Sequence, residues 1–78
     1  MTITKGEYCQ FSLNTRRQML KEFGKYVCQV IINKKSISIF QIYGFYVELV
    51  FNEASRQVEK IQPIQNSNLL NLYLRLAE

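Results

Sequence analysis

The side chains that could do chemistry in this chain are two cysteines, five tyrosines and six acidic residues, all of them glutamates. The sequence contains no histidine and no aspartate, which removes the usual general base at neutral pH and the best metal ligands. Cys9 and Cys28 are then the remaining nucleophiles, and two cysteines are too few for a disulfide framework or a metal cluster. We therefore expect a non-enzymatic protein with reduced thiols and no catalytic, cofactor-binding or metal-binding residues.

The length and composition of the chain predict one small domain spanning residues 1–78. Hydrophobic residues make up 47% of the sequence, which is enough for a core, but a chain this short buries only about 60% of its unfolded surface. The net charge of +4 is too small to indicate nucleic acid by itself. No signal peptide or membrane-spanning run is visible, so we expect a cytoplasmic protein without membrane contact.

Four runs rich in β-branched and aromatic residues fill the middle of the sequence and predict four strands. They are Tyr26–Ile32, Ser36–Ile42, Phe45–Phe51 and Gln57–Ile64. Lys34-Lys35 and Tyr43-Gly44 have the length of two-residue hairpin loops. Pro63 puts the last strand at a sheet edge or marks its end, because proline cannot donate to a ladder. The pattern indicates a four-stranded antiparallel meander.

The N-terminal region predicts one helix, over residues 14–23. Its apolar stripe consists of Met19, Leu20 and Phe23. Arg16 and Arg17 are expected to be solvated, with contact to an anionic partner as the alternative. A left-handed Gly24 is expected to end the helix. Residues 1–12 are ambiguous between irregular structure, an extra strand and a backward extension of this helix.

A second helix is predicted near the C-terminus. Apolar residues at helical spacing run from Leu69 to Ala77 and make the helix apolar around most of its circumference. The predicted fold is therefore α+β, with the order α-β-β-β-β-α and both helices on one face of the sheet.

Pairing Ile42 with Phe45 across the Tyr43-Gly44 loop decides which side chains share a face. The first face collects the predicted core, namely Val27, Ile31, Phe40, Ile42, Phe45, Val47, Leu49 and Phe51. The second face is apolar in one corner and carries a polar band that includes Glu48. We expect both helices on the first face, which would leave the second face exposing a large apolar patch. The alternatives are one helix on each face, or an N-terminal segment that folds over the second face.

An exposed apolar face predicts self-association. We expect a homodimer, the commonest way to cover such a surface, through the second face or through the surplus side of the C-terminal helix. The predicted interface residues are Val30, Ile32, Ile37, Ile39, Tyr46, Glu48 and Val50. Glu48 is expected to face water or to be paired across an interface, either to Lys60 or to a lysine of the partner. This pattern predicts a small interaction or accessory protein whose partner the sequence does not identify.

The first alternative is weak nucleic-acid binding by a sheet surface that stacks unpaired bases. The residues that would do so are Tyr26, Tyr46, Lys25, Lys34 and Lys35. Glu48 in the middle of that surface would repel phosphates, which favours the interaction protein.

The second alternative is a small-ligand carrier. Its cavity would lie between helix and sheet and would be lined by Phe40, Val47 and Leu72. No residue pattern in the chain argues for such a cavity specifically.

Overall fold

The computed structural model describes residues 2–77, and within that range the chain forms three helices and four strands. The helices are α1 (Lys5–Tyr8), α2 (Leu13–Phe23) and α3 (Ser67–Leu76). The strands are β1 (Lys25–Ile32), β2 (Lys35–Ile42), β3 (Phe45–Asn52) and β4 (Gln57–Pro63). They form one antiparallel sheet in the order β1-β2-β3-β4. The predicted α-β-β-β-β-α order is confirmed.

Residues 2–12 add a single helical turn, α1, before the predicted N-terminal helix. The Thr4 hydroxyl accepts a hydrogen bond from the Glu7 N–H at 3.1 Å, and the Glu7 carboxylate accepts one from the Thr4 N–H at 2.9 Å. This capping box offsets the short length of α1 by satisfying two N–H groups that a helix start leaves free. The alternative of an extra strand in this segment is wrong.

Helix α2 ends at a glycine for a different reason from the predicted one. Gly24 has φ −80° and ψ 152°, which is extended and not left-handed backbone. A Cβ atom at this position would lie 2.6 Å from the carbonyl oxygen of Leu20. Glycine is therefore required here by the close approach of the chain to the last turn of α2.

The central hairpin follows the predicted register. Tyr43 (φ 51°) and Gly44 (φ 85°) form a two-residue turn with both residues in the left-handed region, and Ile42 lies opposite Phe45. From there the pairs continue in step along β2 and β3, including Ile39 with Glu48. The division of these two strands into a first and a second face is thus confirmed.

The first hairpin turns one residue earlier than predicted. Asn33 (φ 50°) and Lys34 (φ 64°) form its turn, and Ile32 pairs with Lys35. Asparagine tolerates left-handed backbone better than lysine, so the turn includes Asn33 and leaves Lys35 in β2. Moving the turn by one residue shifts the strand pairing by two, so each residue of β1 from Cys28 onward keeps its predicted face.

The first face of the sheet is covered by α1 and α2. Its buried cluster consists of Tyr8, Leu20, Ile42, Phe45, Val47 and Ile61. The cluster lies over β2, β3 and β4 and does not extend to β1. Ile31 is 67% exposed, and Val27 is the extra residue of a β-bulge between Tyr26 and Cys28. The prediction that Val27 and Ile31 belong to the core is therefore wrong.

The second face is covered by α3, so the prediction that both helices share one face is also wrong. Tyr73 of α3 and Ile64 close a buried cluster that is completed by Val30, Ile37, Ile39 and Val50. The chain reaches this face because Ile64 continues the pairing beyond Pro63, with its N–H 2.8 Å from the carbonyl oxygen of Tyr46. The protein has three layers: helices, sheet and helix. Two apolar sheet faces are each shielded by one helical segment.

Candidate interaction surface

The interface predicted on the second face is already occupied by the chain itself. Its residues Val30, Ile37, Ile39, Glu48 and Val50 are between 0 and 8% exposed. Tyr46 packs beside them, and only Ile32 is exposed, at 38%. A dimer through this face would require α3 to leave it, so the prediction that this face is free is wrong.

Glu48 is buried under α3 and pairs with a lysine of the same chain. The Lys60 ammonium lies 3.7 Å from the Glu48 carboxylate. Of the predicted alternatives, Lys60 is the partner found, but the pair lies within one chain and not across an interface. The carboxylate also acts on α3, because burial and then the Glu48 charge raise the pKa of Tyr73. Glu48 therefore belongs to the interior of the protein and is unavailable for binding.

The residues predicted to bind nucleic acid do not form one surface. Tyr26 lies on the first face, packed edge to face on Phe40 with ring centroids 5.8 Å apart, whereas Tyr46 packs on the second face. The Lys35 ammonium is 2.9 Å from the carboxylate of Glu59. Lys25 is the first residue of β1, whereas Lys34 lies in the turn that follows the other end of this strand. A stacking platform with converging cations is therefore not assembled.

The predicted ligand cavity is not formed either, because its lining residues lie on opposite sides of the sheet. Phe40 and Val47 pack in the first-face cluster, and Leu72 lies on α3 over the second face. Of the two cysteines, Cys9 is exposed and Cys28 is half-buried, and burial raises the pKa of the Cys28 thiol. Within residues 2–77, no three metal-ligating side chains lie close together.

The two edges of the sheet differ in whether their backbone groups are available. On β4, the Arg16 guanidinium Nη1 donates to the carbonyl oxygen of Ile61 at 2.7 Å, and the next outward-facing residue, Pro63, has no N–H. Arg16 also donates to the carbonyl oxygens of Phe11 and Cys9, at 2.9 and 2.6 Å. Its predicted solvated state is wrong, because it fastens the N-terminal segment over this edge.

The edge of β1 is open. The pair Ile32–Lys35 closes the two-residue turn and is therefore hydrogen-bonded, so along β1 the bonded and unbonded residues alternate. Gln29 and Ile31 are the unbonded ones, and their N–H and C=O groups point away from β2. No segment of the described chain lies along this side of the sheet. Four backbone hydrogen-bonding groups are thus presented to solvent.

The side chains of β1 make this edge apolar. The exposed ones are Tyr26 (58%), Val27 (38%), Ile31 (67%) and Ile32 (38%). Charges are confined to the ends, at Lys25 and Lys34. Proteins ordinarily protect an exposed edge with charge, proline, a bulge or a cover. On β1 only the bulge at Val27 is present, and it leaves the segment from Cys28 to Ile32 regular.

We name this surface the β1 edge: the outward backbone of Gln29 and Ile31 with the exposed side chains of Tyr26, Val27, Ile31 and Ile32. The sequence reasoning missed it, although the signal was available. The first strand of a meander is always at an edge, and the run from Tyr26 to Ile32 contains no charge.

The fold and this surface define a small α+β protein whose antiparallel meander lies between helical segments and has one protected and one open edge. Searches against protein families, curated proteins and solved structures give no match.

Proposed function

We propose that this chain is a small, non-enzymatic interaction protein that binds another protein chain by adding a strand to the β1 edge. Strand addition obtains its affinity from main-chain hydrogen bonds and its specificity from alternate side chains. The β1 edge offers both, because the outward groups of Gln29 and Ile31 are free and Ile31 is 67% exposed beside them.

The observation that carries this proposal is the contrast between the two edges. β4 is blocked by Arg16 and Pro63, whereas within residues 2–77 no segment covers the β1 edge, and β1 has no charge between Tyr26 and Ile32. An open edge strand tends to pair with other chains and aggregate, so proteins usually block it. A protein that blocks β4 and leaves β1 open has the arrangement expected when β1 binds a partner strand. The homodimer predicted from the sequence fits the same mode, with the strand supplied by a second copy and not by a sheet face.

The test is nuclear magnetic resonance of the ¹⁵N-labelled chain, alone and in unlabelled extract of the source cells. At a concentration at which the pure chain is monomeric, the amide signals of Gln29 and Ile31 should broaden or shift in extract, while that of Val47 in the central strand β3 should not. Where the pure chain is dimeric, the same two amides should instead shift when the pure chain is diluted. Ile31→Lys should abolish the change, because a charge at an edge strand opposes pairing. The matched control is Gln62→Lys, which introduces the same charge at an exposed position on β4.

Two results would count against the proposal. One is an unchanged β1 signal in extract together with a monomeric pure protein. The other is a change that is centred on the cationic side of α2, at Arg17 and Lys21, and disappears after nuclease treatment. The second result would favour nucleic-acid binding.

A further inference from the structure

We infer that the strand added at the β1 edge comes from a second copy of this chain, paired antiparallel about a two-fold axis at Val30. This inference rests on the function proposed above, since it names the partner of the same edge. It starts from the outward groups of Gln29 and Ile31, which are placed symmetrically on either side of Val30.

The register follows from which residues can exchange hydrogen bonds. With the axis at Val30, Gln29 lies opposite Ile31 of the second copy, and each such pair exchanges two backbone bonds, so two pairs give four. All outward groups between the bulge at Val27 and the turn at Asn33 are then used. With the axis at Gln29, Ile31 would lie opposite the bulge at Val27 of the second copy. With the axis at Ile31, Gln29 would lie opposite the turn at Asn33. Either register would lose two of the four hydrogen bonds.

The charge distribution permits a second copy in this register. The paired segment from Cys28 to Ile32 has no charged side chain, and the exposed lysines Lys25 and Lys34 lie outside it. Two chains of net charge +4 repel one another at long range, so salt should strengthen the dimer. An acidic partner would show the opposite dependence on salt.

Helix α3 distinguishes a second copy from an unrelated strand. Its main strand contact is β1, so pairing at this edge brings the two α3 helices side by side on the same face of the joined sheet. Leu72 and Leu76 of α3 are 49 and 52% exposed and would contribute apolar area. A five-residue strand pair alone covers less than the roughly 1,000 Å² of a specific interface, and only a second copy supplies another α3.

The test is a disulfide between copies. In this register Cys28 faces Ile32 of the second copy in a non-hydrogen-bonded pair, where Cα atoms are about 4.5 Å apart, within disulfide range. The variant Cys9→Ser/Ile32→Cys, oxidised with glutathione disulfide, should run as a covalent dimer on a non-reducing gel. Within one chain the two thiols are about 13 Å apart along the strand and cannot bond.

Two control variants fix the register. Cys9→Ser/Ile31→Cys places the thiol on the other face and should give no rapid cross-link. Adding Cys28→Ala to the Ile32→Cys variant should abolish the link. A link that persists without Cys28 would overturn the axis at Val30.

Sedimentation equilibrium of the unmodified chain tests this inference separately from the proposed function on which it rests. We expect a mass of twice 9.2 kDa, and we expect Gln29→Pro to weaken the dimer about tenfold or more, since it removes two of the four bonds. If the chain is a monomer at about 100 µM and its β1 amides still change in extract, the inference that the partner is a second copy is wrong, but the proposal of strand addition at the β1 edge is supported. A monomer with unchanged amides would overturn both.

Discussion

The Arg16 guanidinium Nη1 donates to the Ile61 carbonyl oxygen over 2.7 Å and so joins α2 to the outer edge of β4. Through its other nitrogens the same side chain holds the carbonyls of Cys9 and Phe11, which lie between α1 and α2. One cation therefore satisfies three acceptors that come from two separate parts of the chain. It holds the N-terminal helices on the sheet and blocks one of the two edges.

Replacing Arg16 should therefore destabilise the fold and expose β4. We expect Arg16→Ala to lower the free energy of unfolding by about 2 kcal/mol, because hydrogen bonds to charged groups are lost and the Ile61 carbonyl is left without a partner. Arg16→Lys should recover only part of this, since an ammonium cannot reproduce the guanidinium fork. Urea unfolding followed by circular dichroism measures both changes. Arg17→Ala, at an exposed neighbour, is the control and should change stability by less than about 0.5 kcal/mol; an equal loss there would contradict this role of Arg16.

Substitutions at Ile39 and Ile31 should separate folding from association. Ile39 is 0% exposed beneath α3, so Ile39→Lys should unfold the protein, at a cost of about 3 kcal/mol or more. The substitution replaces a buried apolar contact with an ammonium whose cross-strand neighbour, Glu48, already pairs with Lys60. Ile31 is 67% exposed, so Ile31→Lys should leave stability within about 0.5 kcal/mol and reduce association only. Thermal unfolding and sedimentation on the same samples decide between them. A folded Ile39→Lys monomer would restore the sheet-face interface that the cover by α3 rules out.

The strands were predictable because each carries its own signal in residue type and turn length. Tyr43-Gly44 alone sets the pairing of Ile42 with Phe45, and the two faces of β2 and β3 follow from the strand period of two. The helix positions carried no such local signal. Whether α3 covers the first or the second face depends on the path of the chain after Pro63, where Ile64 pairs once more with Tyr46 before the helix begins.

The candidate site escaped prediction for a related reason. The apolar pattern correctly identified the second face as a surface that must be covered. The apolar side of α3 provides that cover within the same chain, so this face is not available to a partner. An edge depends on topology and not on hydropathy. Arg16 illustrates this point, because its role on β4 arises from a contact with Ile61 forty-five residues away in the sequence.

The Glu48–Lys60 pair should contribute measurably although it is not ideal in geometry. Glu48 is 3% exposed, but the Lys60 side chain is 49% exposed and the charges are 3.7 Å apart, so we expect Lys60→Gln to cost about 1 kcal/mol. In a Glu48→Gln background the same change should cost little, and the difference is the coupling energy of the pair. The matched control is Lys35→Gln, which breaks the exposed pair with Glu59 and should cost less than about 0.5 kcal/mol. Equal costs at both lysines would show that the burial of Glu48 does not strengthen its pair.

The fold should lose stability in alkali because of Tyr8. Tyr8 is 0% exposed, its hydroxyl donates to the Arg16 carbonyl oxygen at 2.9 Å, and burial raises its pKa from the ordinary 10.0 to about 12, against the opposing charge of Arg16. Since the folded-state pKa is the higher one, the stabilisation is fully present below pH 10 and is lost as pH rises through about 12. Two pKa units correspond to about 2–3 kcal/mol.

Urea unfolding of the unmodified chain and Tyr8→Phe between about pH 9 and pH 12 tests this loss. Tyr8→Phe should cost about 1 kcal/mol at neutral pH, from the lost hydrogen bond, and should fall less steeply with rising pH. Tyr26→Phe, at an exposed tyrosine, is the control and should keep the slope of the unmodified chain. If the Tyr8→Phe profile ran parallel to the unmodified one up to pH 12, the buried hydroxyl would not be the group that unfolds this protein in alkali.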